Sequence, residues 1–164
     1  MSGIQAPDKE TMEACRLYVD NLIKPIHSLG KLEDIAVRLA GITGKIKPGK
    51  LNKAIVIMAG DTAVDGENKT GGKTSLTEVQ MVSRGLGTVS AVARTLGAPV
   101  YLIDVGLEQN TNDIEGVLTN KVVYGTHRGN PALDQDAVSA AISIGMSVAR
   151  RLAVQGIQAV GLGN

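Results

Sequence analysis

KAIVIMAG, residues 53–60, is an apolar run closed by a lysine at one end and a glycine at the other. Alternation is missing: Ala54 to Ala59 are all apolar, as in a strand covered on both faces of a parallel sheet. A second run of this type, VYLIDVG at 100–106, follows a helical stretch from about Ser75 to Leu96. A third, Ile157 to Gly161, follows an amphipathic stretch from Asp134 to Gln155. Strands alternating with helices imply βαβ units with right-handed crossovers. Two helices precede the first strand. Asp8 is an N-cap for one that ends at Pro25, and the other begins near Ser28 with Leu32, Ile35, Ala36, Leu39 and Ala40 at helical spacing. The expected organisation is a helical segment over 1–52 and an α/β core over 53–164, with one domain as the default for 164 residues. Between the second and third strands, Glu108 to Gly129 is polar and irregular except for Lys121-Val-Val-Tyr124.

Ligands of open α/β sheets bind beyond the carboxyl ends of the strands. Three segments are therefore informative: Gly60 to Thr74, Asp104 to Glu108, and Gly161 to Asn164. The first contains DGENKTGGKTSL, residues 65–76, which invites a P-loop reading. Counting back from Gly72-Lys73-Thr74, the loop's first glycine should stand at 67, where the chain has Glu67. The spacing fails. Gly85-x-Gly87 is no dinucleotide fingerprint either, since it falls inside the predicted long helix, where close packing is the expected role of its glycines.

Composition narrows the function. Lys+Arg number 17 and Asp+Glu 16, so no bulk charge draws the chain to nucleic acid or membrane. Phe and Trp are absent and Tyr numbers three, which removes base-stacking platforms and leaves Met58, Met81 and Met146 to fill core gaps. Cys15, the single cysteine, excludes an internal disulfide and fits a reducing cytoplasmic setting. It stands at an apolar helical position. His27 is expected to pack or cap locally, and two isolated histidines make no metal site. No run of about 18 apolar residues and no basic-then-apolar leader is seen, so a soluble intracellular protein is expected.

Five ordered motifs carry a resemblance: Pro25-IHSLGKLEDIAVRLAGITGKIKP, Ile55-VIMAGD, Val79-QMV, Asp104-Val105-Gly106, and Lys121-VVYGTHRGNPAL with its following helix up to Gly145-MSVARRLAVQG. Together they resemble the nicotinate-nucleotide:dimethylbenzimidazole phosphoribosyltransferase family from about Pro25 to the C-terminus. The resemblance implies an α/β, Rossmann-like parallel sheet with flanking helices. It also implies transfer of ribose phosphate from nicotinate mononucleotide to a benzimidazole-type base in cobamide lower-ligand synthesis, with no cofactor or metal required. The sequence departs from the family at Asp61-Thr62-Ala63, where Asp-His-Gly is usual. It stops at Gly161-Leu162-Gly163-Asn164, where the family's glycine-rich phosphate loop begins, and it lacks the half that carries the catalytic glutamate.

On this reading Asp61, Thr62, Ser75, Asp104 and Gly106 are candidate substrate-binding residues. Gly125, Thr126, Arg128, Gly161, Gly163 and Asn164 are candidate phosphate-binding residues, with Gly125-Thr126-His127-Arg128 a potential anion nest. Lys69 and Lys73 are further candidates for a phosphate. Glu78 and Glu108 are the nearest carboxylates that could act as a base, but no catalytic base is assigned. The expected partners are the two substrates and either a further copy of the chain or a complementary C-terminal half. A binding or regulatory module that keeps the pocket without turnover is the alternative.

Overall fold

The computed structural model describes residues 4–61, 71–122 and 133–163. It divides into two compact units, Met1–Leu51 and Asn52–Asn164.

The first unit is a helical pair, α1 (Lys9–Asp20) and α2 (Lys31–Thr43). Asp8 caps α1 by accepting from the Thr11 amide at 2.9 Å, and bonds to the Thr11 side chain and amide hold its carboxyl below the usual range. Cys15, Val19, Val37 and Ala40 form the seam between the helices, with Met12 packed against them. Gly41 makes this closeness possible: a Cβ there would lie 2.5 Å from the Met12 Cγ. His27 departs from expectation. Its backbone is left-handed at φ 61° and its side chain is largely exposed, out of the core, with Nδ1 3.5 Å from Glu33 Oε2 in the first turn of α2.

The second unit holds four parallel strands in the order β3-β2-β1-β4: β1 (Lys53–Gly60), β2 (Val100–Gly106), β3 (Val117–Thr119) and β4 (Ala159–Gly163). The α/β parallel sheet with flanking helices is as expected. Sheet order follows from the crossovers: the chain moves from β1 outward through β2 to β3, then returns to the other side of β1. Right-handed connections running in opposite directions place their helices on opposite faces. Accordingly, Ile57, Leu102 and Leu107 pack with Val79 of α3 (Gly71–Ser83), joined by Val89 of α4 (Thr88–Leu96). Val56 and Ile103 pack with Leu152 and Val148 of α5 (Gln135–Val154).

Several boundaries differ from the sequence reading: α1 ends at Asp20 rather than at Pro25, and α2 begins at Lys31 rather than near Ser28. The single helix expected over 75–96 is two helices, because Gly85 and Gly87 take φ of 73° and 94° and break it. These glycines serve conformation rather than close packing, since a Cβ on Gly87 would meet nothing within 4 Å. The third strand lies at 159–163 rather than 157–161, because Ile157 is packed beneath the sheet before pairing starts. β3 was not foreseen; regular structure was expected instead at Lys121. Met81 and Met146 are about half exposed, so of the three methionines only Met58 fills a core gap.

The outer boundary of this unit is apolar. Leu162 is 82% exposed on β4, which ends the sheet among the described residues, and Val138, Ile142 and Met146 are exposed along α5. Among the described residues α5 is the one helix long and apolar enough to cross a membrane, by length and composition alone.

Candidate active-site cleft

The order in which the chain lays down strands reverses between β1 and β4, and in open α/β sheets this switch point opens a crevice at the carboxyl ends of the strands. A cavity of about 630 Å³ lies there. Its floor is Ile57 to Gly60 of β1 with Gly163 of β4; its walls include Ser75, Glu78 and Met81 of α3, and Leu107 beyond β2. The size suits a small heterocycle. Gly163 pairs with Ile57, and a Cβ there would touch the Ile57 Cγ1 at 3.5 Å, an ordinary contact, so the glycine keeps the floor low rather than relieving a clash. Among the described lining residues, Glu78 is the only ionisable group, and it has no hydrogen bond or ion pair to another described residue.

Asp104 stands beside Ala59 in the β1–β2 register but is fully buried. Its Oδ1 accepts from the Gly106 and Leu107 amides at 3.0 and 2.8 Å. Its Oδ2 accepts from the Thr111 hydroxyl and pairs with the Lys121 ammonium at 3.4 Å. Thr111 in turn lies 3.1 Å from the Thr119 hydroxyl, and Lys121 Nζ donates to the Leu107 and Gln109 carbonyls. Every oxygen lone-pair direction of Asp104 is thus spent inside the protein. The carboxylate curls residues 105–111 over the end of β2 and fixes Leu107 in the cavity wall. Asp61 performs the matching task on β1: its Oδ2 accepts from the Glu108 amide at 2.9 Å, and its own amide donates to the Gly106 carbonyl.

The structure therefore brings Asp61, Asp104, Gly106, Ser75 and Gly163 to one end of one sheet. Gly161 is farther back, opposite Ile55 in mid-strand. Thr62, Gly125, Thr126, Arg128 and Asn164, together with Lys69 and the anion-nest segment around His127, lie outside the described residues. Glu108 is exposed and absent from the cavity lining. Met81 and Leu107 were missed as wall residues. Helical spacing of Ser75, Glu78 and Val82 along one side of α3 is the signal that could have pointed to this wall.

The described residues contain one cluster with metal-ligand types, Asp20, His27 and Glu33, in the helical pair. Lys24 already supplies its cation, with Nζ 2.8 Å from Glu33 Oε1. That bond is the main cause holding the Glu33 carboxyl below its ordinary range, against the opposing cost of burial. Because the folded value is lowered, the pair's contribution is complete above the ordinary carboxylate range and fades as pH falls through the lowered value. Lys24→Met should therefore reduce the melting temperature at pH 7, with the difference from wild type shrinking below about pH 4. Calorimetry at both pH values checks this; an equal difference at each would refute the ion-pair explanation.

This geometry can be set beside known proteins. A family model described as phosphoribosyltransferase matches residues 4–164. The chain belongs to this phosphoribosyltransferase family. A nicotinate-nucleotide--dimethylbenzimidazole phosphoribosyltransferase of Alkaliphilus metalliredigens is 38% identical over 98% of this chain and 47% of its own length. One of the same name from Geobacter sulfurreducens is 33% identical over 99% of this chain and 47% of its own. The crystal structure of the Thermus thermophilus enzyme of this name superposes with a TM-score of 0.86 at 31% identity, covering 95% of this chain and 48% of that one. This phosphoribosyltransferase-family chain thus spans about half the length of the relatives it matches, and corresponds to their N-terminal half.

Proposed function

We propose that the chain forms the N-terminal half of a site that moves ribose phosphate from nicotinate mononucleotide to a benzimidazole-type base in cobamide lower-ligand synthesis. The observation that carries this reading is the cavity at the β1/β4 switch point, in a chain of this family. A flat ring suits its apolar floor, and Ser75 offers a hydroxyl at its rim. Asp61, Asp104 and Gly106 act by shaping the strand ends rather than by direct contact in the case of buried Asp104. The sugar phosphate is assigned to the glycine-bearing segments, Gly125, Thr126 and Arg128 together with Gly161, Gly163 and Asn164, and Thr62, next to Asp61 in sequence, is assigned to substrate binding.

In the reaction, a ring nitrogen of the acceptor bonds to the ribose C1 as the C1–nitrogen bond of nicotinate breaks, and the acceptor's N–H proton must pass to a base. That base, and the rest of the phosphate pocket, are assigned to a complementary C-terminal half. The open edge at β4 and the bare apolar side of α5 are where such a partner, or a further copy of the chain, would bury surface. A cytoplasmic location accompanies this reading, and no role in nucleic-acid or membrane binding is assigned.

Methyl NMR tests the cleft. Adding dimethylbenzimidazole should shift the methyl resonances of Ile57, Val79, Met81 and Leu107 through the ring current, and leave Val56, Ile103 and Leu152 on the opposite face unmoved. Shifts confined to the α5 face, or none at saturating ligand, would remove the cleft from the proposal.

A further inference from the structure

We infer that Lys121 is a positioning residue of the ring cavity: its ammonium sets where Leu107 stands in the wall, and so how tightly a flat ring is held. This rests on the function proposed above and concerns the same cavity. A lysine ammonium has three N–H donors. Three oxygens converge on that of Lys121: the Leu107 carbonyl at 2.6 Å, the Gln109 carbonyl, and Asp104 Oδ2 at 3.4 Å. Two of these belong to the backbone of the loop that carries Leu107, so the lysine does more than balance a buried charge. Asp104 takes the Gly106 and Leu107 amides of that loop, and Asp61 takes the Glu108 amide. Both carboxylates grip N–H groups, whereas Lys121 grips carbonyls, that of Leu107 among them. Its own backbone is tied down on either side: the Asn120 amide donates to the Asp104 carbonyl at 2.8 Å, and the Val122 amide to the Val105 carbonyl at 2.7 Å. The reach of the side chain is thereby fixed.

The effect reaches the ring because Leu107 is buried in one cluster with Ile57, Val79 and Leu102 and lines the cavity. A close-packed side chain cannot absorb a shift of its own backbone, so the wall moves with the carbonyl. Misplacing a group that holds a ligand by about 1 Å costs up to about a hundredfold. Arginine is the informative replacement. It keeps a positive charge beside Asp104, but its guanidinium is planar and cannot direct three N–H bonds from one nitrogen to three converging oxygens. Lys121→Arg therefore separates charge pairing from loop geometry.

The test is a double-mutant cycle on ring affinity. Dimethylbenzimidazole is titrated by calorimetry into the 164-residue chain as wild type, Lys121→Arg, Leu107→Val and the double variant, with thermal unfolding followed in parallel. Lys121→Arg is expected to bind the ring about tenfold more weakly than wild type and to keep a melting temperature close to it. In the double variant the loss should be smaller than the product of the two single losses, because both substitutions act on one wall. A merely structural lysine would lower the melting temperature and leave the ring affinity of the folded protein unchanged. Lys121→Gln, which offers N–H groups without charge, should also bind more weakly and serves if the arginine variant folds poorly. Wild-type affinity in a folded Lys121 variant, or losses that simply multiply in the double variant, overturns the inference while leaving the cavity as a ring site. Failure of wild type to bind the ring overturns the proposed function and this inference with it.

Discussion

Asp104→Ala is expected to destabilise the α/β unit by about 3–5 kcal/mol. The removed carboxylate serves the amides of Gly106 and Leu107, the Thr111 hydroxyl and the Lys121 ammonium. Thr111 is itself fully buried, so its hydroxyl cannot turn to water, although Thr119 remains within reach. Lys121 is partly exposed and still has the Leu107 and Gln109 carbonyls, which limits its share of the loss. Most of the penalty falls on the buried amides and on Thr111. Asp104→Asn keeps one acceptor oxygen but offers N–H groups where Thr111 and Lys121 donate, so it should lose a large part of the same stability. Thr111→Val, which replaces a hydroxyl with a methyl group of similar shape, should cost about 1–2 kcal/mol. Urea unfolding of the three variants checks the order Ala, Asn, Val. A neutral Asp104→Ala would show that the loop holds without the carboxylate.

This case also shows what sequence can and cannot reveal. The run Ala54 to Ala59 disclosed a buried parallel strand, and Asp134 marked the start of α5, where its side chain accepts from the Ala137 amide at 2.7 Å. Both signals are local. Asp104 was legible as a polar group leaving a strand on the ligand side, but its partners Thr111 and Lys121 return from 7 and 17 positions along the chain. Only the folded loop brings them to it, and the result is a buried positioning carboxylate. β3 was hidden for a similar reason: Val117 to Thr119 is too short for a periodic signal and becomes a strand by pairing with Leu102 to Asp104. The breaking of the long helix was misread because glycines at 85 and 87 permit both close packing and positive φ, and only backbone geometry separates the two. Glu78 was legible only as a carboxylate near the site by position, since the cavity it lines is made by strands on either side of a topological reversal.

The chain's coverage of about half its relatives' length leads to the second large effect. Among the described residues β4 ends the sheet and α5 has exposed apolar residues, the relatives are about twice as long, and the acceptor's proton has no assigned base among the described residues of this chain. A general base alone contributes about a hundred- to ten-thousandfold, and positioning of the phosphate multiplies that. The 164-residue chain alone should therefore be at least about a thousandfold slower than the completed site.

Nicotinate release from nicotinate mononucleotide in the presence of dimethylbenzimidazole should be measured for the chain alone, for the separately produced C-terminal half of the Alkaliphilus metalliredigens relative, and for their mixture. The expected result is negligible release from either piece and turnover by the mixture, with a stable complex on size-exclusion chromatography. Turnover by the 164-residue chain alone, unchanged by the added half, would contradict the claim that this cleft is one half of a divided active site.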